Sequence, residues 1–202
     1  MSKARIVVLI SGGGTNLQAI IDACSSGQLD AVVVAVVSNR RKAYGLERAR
    51  NAGIATHYSP LKPSLKRGLT RTEYDVELAA TVATFKPELI VLAGWMHVLS
   101  EGFIRPFAGR LINLHPALPG EIAGIRAIER AFADFERGER KRSGVMVHHV
   151  IPEVDAGEAV AVRQVPFVAD DTLSAFAERM HDVEHELIVE AVAHCLGATP
   201  RS

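Results

Sequence analysis

IVVLISGGGTN, running from Ile6 to Asn16, joins five consecutive branched apolar residues to a cluster of three glycines. Such a run has the pattern of a strand covered on both faces, and Asn16 to Ala23 then spaces Leu17, Ile20 and Ile21 as a helix does. Strand, tight loop and helix in this order set up an α/β architecture. The loop itself, Ser11, Gly12, Gly13, Gly14, Thr15 and Asn16, carries free backbone N–H groups at the positive end of a helix dipole, where an anion such as phosphate fits. The third glycine of a dinucleotide fingerprint and the Gly-Lys-Ser/Thr of a Walker loop are both missing. A purely structural turn is the other reading that these residues allow.

Outward from this unit the alternation continues. Ala31 to Val37 reads as a second buried strand, Gly45 to Ala52 as a short helix stopped by Gly53, and Ala55 to Tyr58 as a short strand. Pro60, Pro63, Lys62, Lys66 and Arg67 make residues 59–70 a polar surface loop. A helix from Arg71 to about Lys86 ends at Pro87, before apolar strands at Leu89 to Leu92 and Leu111 to Leu114. Gly144 to Val150 and Ala159 to Val165 are joined by a stretch too short for a crossover helix, so they read as an antiparallel addition. Thr172 caps a last long helix whose apolar face is Leu173, Phe176, Met180, Val183, Leu187 and Val192. The expected fold is an open, doubly wound, mostly parallel sheet, Rossmann-like in its N-terminal half, with ligands at the C-terminal ends of the strands.

The 202 residues are 48% hydrophobic, enough for one ordinary core, and a single domain over residues 1–202 is expected. Lys plus Arg and Asp plus Glu each total 23, which removes any electrostatic reason for a non-specific grip on nucleic acid or an anionic membrane. The apolar run after the N-terminus is too short for a signal segment and no stretch is long enough to span a bilayer, so a cytoplasmic protein is expected. Cys24 and Cys195 lack metal-ligand spacing and read as buried or half-buried thiols.

Beyond the glycine loop, chemistry concentrates at the exit of the fourth long strand. Asn113 and His115 point the same way because strand side chains alternate, so an amide donor and an imidazole converge on one pocket. Asn can donate to a developing oxyanion, and His can exchange a proton with an attacking amine. Asp155, in the turn Val154 to Gly157, is ordinary turn chemistry taken alone. Glu184 and His185 read as a solvated helix face, with contact to a ligand as the other reading, and the basic run Arg137 to Arg142, without interleaved aromatics, as a solvated connection. No His and carboxylate cluster has metal-ligand spacing.

IVVLISGGGTNLQAIIDA, AYGLERARNAGIATH, LIVLAGWMHVLS, INLHPALPG, GVMVHHVIPEVDAGE and HDVEHELIVEA together span nearly the whole chain. In these segments it resembles the phosphoribosylglycinamide formyltransferase family of folate-dependent purine-biosynthesis enzymes. INLHPALPG and the HDVEH helix look closer to the fungal-type branch. The resemblance implies the formyltransferase fold, a ribose phosphate on Gly12, Gly13, Gly14, Thr15 and Asn16, and a catalytic trio of Asn113, His115 and Asp155. It also implies a folate cleft at Trp95, Met96, His97, Val98 and Leu99, Arg71 near the folate tail, and Glu184 binding the ribonucleotide, which reverses the solvated reading of that residue. His97 stands where many members have Arg, His149 where an aromatic residue is usual, and Pro152 where an acidic one is.

The function so implied is transfer of the formyl group of 10-formyltetrahydrofolate, as co-substrate and without a metal, to the amine of glycinamide ribonucleotide. Direct attack through a tetrahedral intermediate is expected, since no Ser or Cys stands in a nucleophile arrangement. The expected partners are the two small molecules alone, with the protein a monomer or homodimer. Rival readings are a formyl-folate hydrolase, a methionyl-tRNA or amino-sugar formyltransferase, and a non-enzymatic nucleotide-binding protein. The first normally carries an N-terminal regulatory domain and the tRNA enzyme a C-terminal RNA-binding one, whereas here the first strand is expected from Ile6 and the last helix to end near Leu196, which discriminates in part.

Overall fold

The computed structural model describes residues 2–197. Seven strands form one sheet in the order β3-β2-β1-β4-β5-β6-β7, with β1 at Ala4–Ile10, β2 at Ala31–Ser38, β3 at Ala55–Tyr58, β4 at Leu89–Leu92, β5 at Leu111–His115, β6 at Arg142–His149 and β7 at Ala159–Pro166. The first five run parallel, while β5–β6 and β6–β7 are antiparallel. The doubly wound sheet with an antiparallel addition is therefore the observed architecture.

Strand alternation divides the core. Ile6, Val8 and Ile10 enter one apolar cluster with Leu89, Val91, Ile112 and Leu114; Val7 and Leu9 enter the other with Ile90, Leu92 and Leu111. The first cluster is closed by α1 (Thr15–Ser26), α2 (Tyr44–Asn51), α6 (Ala127–Glu136) and α7 (Leu173–Cys195), the second by α4 (Arg71–Thr84) and α5 (Glu101–Ile104). Because β1 has β2 on one side and β4 on the other, the chain changes direction across the sheet at β1. The loops after β1 and β4 diverge there and leave a crevice.

Several expectations change in the structure. The polar segment 59–70 contains a six-residue helix, α3 (Leu61–Lys66), held down by Ser64, which is buried and donates to the Pro60 carbonyl, and by the Tyr74 hydroxyl on the Ser59 carbonyl at 2.8 Å. Pro63 is compatible with this helix because first-turn N–H groups have no intrahelical partner. The Arg137–Arg142 run is not merely a solvated connection, since Arg142 opens β6 and Arg140 pairs with Glu121 and Asp134. Leu173 leaves the buried face of α7 and is exposed, while Phe176, Met180, Leu187 and Val192 are buried as expected. Cys24 is buried and Cys195 half-buried, both as free thiols. No helix of the described residues is long and apolar enough to cross a membrane.

Candidate active site

The glycine loop is fixed by its carbonyls. Gly12 O accepts from Gly45 N at 3.1 Å and Gly13 O from Arg48 Nε at 2.9 Å. Gly14 takes φ 72°, and a Cβ there would lie 2.7 Å from Gly45 Cα, so only glycine lets α2 approach. Gly14 caps α1 without a side-chain bond, and no acidic residue occupies the first turn, so the opening N–H groups of the helix keep their capacity for an anion. Ser11 ties the loop to the segment after β4: its N–H donates to Gly94 O at 3.0 Å and its Oγ accepts from Met96 N at 2.9 Å.

That second segment, Trp95 to Leu99, has its backbone clamped again by Arg71, which donates to Val98 O while paired with the fully buried Asp75; Asp75 in turn accepts from Ser100 N at 2.8 Å. Trp95 and His97 pack edge to face with centroids 5.7 Å apart. Burial, reinforced by the nearby Arg71 charge, lowers the His97 pKa below the ordinary histidine value. Between the two loops and β5–β6 opens a cleft of about 730 Å³, lined by Asn16, Trp95 to Leu99, Asn113, His115, Asp155 and Glu184 among others. Arg71 supports the wall from behind.

The antiparallel register sets Asn113 opposite His148 and His115 opposite Met146. Asn113 Nδ2 lies 3.1 Å from His148 Nε2 and 3.3 Å from Asp155 Oδ1. His148 Nδ1 lies 2.8 Å from the His149 carbonyl, which can only accept, so Nδ1 carries a proton; Nε2 lies against both Asn113 Nδ2 and, at 3.5 Å, Asp155 Oδ1, accepting from the amide in the neutral ring and donating to the carboxylate in the charged one. His115 Nε2 is likewise a donor, to Ile122 O at 2.7 Å, and its Nδ1 faces Asp155 Oδ2 at 3.4 Å. An imidazolium at this position has an acceptor for each N–H. Asp155, with φ 53°, takes the Gly124 N–H at 2.8 Å on the same oxygen. Burial pushes its carboxyl up, but the His148 hydrogen bond, the Gly124 N–H and the His115 and His148 charges together hold it below the ordinary range.

Glu184, read before the family resemblance as solvated, is buried and accepts from Asn16 Nδ2 at 3.0 Å. Burial raises its pKa despite that bond and the charges of His181, His185 and His115. His148 went unassigned in the sequence because its role depends on strand register. Gly124 and Ile122, whose main chain holds Asp155 and His115, carry no side-chain signal at all. Among the described residues, no group of three or more His, Cys, Asp or Glu is placed to hold a metal.

The sheet, with its crevice at the switch in strand order, defines an α/β protein of the Rossmann-like class, and Asn113, His115 and Asp155 meet in that crevice. Residues 4–192 match the formyl transferase family, and the chain belongs to it. Within that family it is 47% identical over 197 residues to the phosphoribosylglycinamide formyltransferase of Dictyostelium discoideum, covering 93% of this chain and 96% of the relative. Identity is also 47% to the enzyme of that name from Schizosaccharomyces pombe, with 94% and 95% covered, and 41% to the Escherichia coli enzyme, with 91% and 82% covered, in keeping with the lean to the fungal-type branch. The crystal structure of glycinamide ribonucleotide transformylase 1 from Symbiobacterium toebii superposes with a TM-score of 0.88 at 35% identity, covering 97% of this chain and 89% of the other.

Proposed function

We infer that the protein is the enzyme that moves the formyl group of formyl-folate to the amine of glycinamide ribonucleotide, a step of purine biosynthesis, and that it acts in the cytoplasm as a monomer or homodimer. The observation that carries the residue assignments is the convergence of Asn113, His115 and Asp155 in one cleft, which Asn16 of the glycine loop also lines. In this reading the ribose phosphate rests on Gly12 to Asn16 and Glu184 takes the sugar side, while the folate ring lies along Trp95 to Leu99 toward the turn of Asp155. The apolar side chains Met96, Val98, Ile151 and Val154, all exposed at the rim, offer the surface that a flat ring system covers.

The amine attacks the formyl carbon, the C=O bond opens to an oxyanion, and the C–N bond to the folate nitrogen breaks as the oxyanion collapses. The proton lost by the amine reaches the leaving nitrogen. Asn113 Nδ2 and protonated His115 stabilise the oxyanion, and Asp155 holds His115 in register and orients a water that relays the proton. The 3.3 Å contact from Asn113 to Asp155 is the long one of its set and is the bond exchanged for the substrate oxygen.

The test mixes the protein with 10-formyltetrahydrofolate and glycinamide ribonucleotide, following deformylated folate by absorbance beside an amine-free control. Turnover is expected only with the ribonucleotide, and His115→Ala is expected to lose on the order of a hundred-fold in kcat. Turnover in the amine-free control identifies a hydrolase instead.

A further inference from the structure

Arg40 follows β2, where neither the trio nor the glycine loop draws attention to it, yet it lines the same cleft as Asn16 and His97. Its main chain is pinned: Arg40 N donates to Ser38 Oγ at 3.1 Å, that hydroxyl donates to Arg40 O at 3.1 Å, and Ala43 N donates to the same carbonyl at 3.1 Å. Its guanidinium, in contrast, has no hydrogen bond or ion pair among the described residues. Arg71, the other cation acting on His97, is neutralised by Asp75. The preceding Asn39 is buried with both amide atoms unpartnered, so the turn holds polar groups that no other of the described residues satisfies.

Topology places this charge. Ile10 pairs with Ser38 in the parallel register, so two residues further on Gly12 and Arg40 leave neighbouring strand ends. His97 follows β4, on the far side of β1, and the Arg40 charge reaches it. Arg40 thus lines the cleft from the strand next to the one whose end begins the glycine loop. We propose that Arg40 is an oxyanion-binding residue of the cleft whose ligand is the phosphate monoester of the ribonucleotide. It supplies a charge-assisted fork on the side of the phosphate away from the α1 N-terminus. The assignment rests on the reading of Gly12 to Asn16 as the phosphate loop. Carboxylates of the folate tail are the other source of the same chemistry.

Arg40→Gln and the exposed control Arg41→Gln are compared with wild type in steady-state kinetics, and by calorimetric titration with ribose 5-phosphate. The expected result for Arg40→Gln is a KM for glycinamide ribonucleotide raised about tenfold or more with kcat little changed, and ribose 5-phosphate binding weakened to match. Arg40→Lys should recover part of the loss, and Arg41→Gln should behave as wild type. A KM rise confined to formyl-folate, growing with the number of glutamates on its tail, overturns the phosphate assignment in favour of carboxylates. Unchanged constants for both substrates overturn the proposal altogether. Absence of turnover in wild type is a failure of the proposed function, and is separable because ribose 5-phosphate binding and its dependence on Arg40 are read without turnover.

Discussion

Asp155 and Glu184 are two carboxyls on one cleft whose surroundings push them in opposite directions. Asp155 is held low, so its stabilising contribution is present above the ordinary carboxylate range and is lost only as pH falls through its lowered pKa. Glu184 is pushed up by burial, so its contribution is full below the ordinary range and is lost as pH rises through the raised value and the buried carboxyl ionises. Glu184→Gln keeps an acceptor for Asn16 Nδ2 and cannot ionise. Relative to wild type it should therefore gain stability as pH rises above the ordinary carboxylate range and level off above the raised pKa, with no pH-dependent difference at the acid end. Urea midpoints measured across that range check this, and parallel pH profiles for the two proteins would contradict it. Neither carboxyl's state was readable from the sequence: Glu184 stands between Met180 and Leu187 at the spacing of the apolar face, but a carboxyl there reads as solvated by residue type, and the partner that accompanies its burial, Asn16, lies 168 residues earlier.

At the scale of elements, the turn between β6 and β7 is the part that delivers Asp155, and its shape hangs on Gly157. A Cβ at Gly157 would fall 1.7 Å from the His149 carbonyl oxygen and 2.8 Å from its carbon, so the strand end and the turn are packed backbone on backbone. That carbonyl also receives His148 Nδ1. Gly157→Ala should therefore cost about 1–3 kcal/mol or more of stability and should lower kcat by displacing both Asp155 and His148. A chemical denaturation curve and a kinetic assay on the soluble fraction measure the two effects. Wild-type kcat in a destabilised Gly157→Ala protein would show that the turn does not position the carboxylate. The helices were unevenly legible for an equally physical reason. α1 and α7 carry long apolar stripes, and Thr172 caps α7 by accepting from Ala175 N. α3 has prolines at its N-cap and in its first turn, and α6 is preceded by Arg126 at φ 55°, neither of which announces a helix.

For the whole molecule, one sheet runs from β3 to β7 and both core clusters draw on β1, β4 and β5. The N-terminal half and the antiparallel addition therefore share their central strands, and we expect a single cooperative unfolding transition in scanning calorimetry. Two resolved transitions would mean that the halves are separate units. The alternation of buried strands with helices, the anion-ready glycine loop and the Asn113–His115 pair were fixed by local chemistry: apolar periodicity, glycine's freedom at Gly14 and the two-residue repeat of a strand act over a few residues. The partners of those groups were decided by the tertiary structure. Register put His148 against Asn113, chain reversal at β1 put Arg40 and Trp95 to Leu99 on either side of one loop, and packing buried Glu184 against Asn16. Each depends on contacts between residues distant in the chain, where burial and distance, rather than residue type, set what a side chain can do.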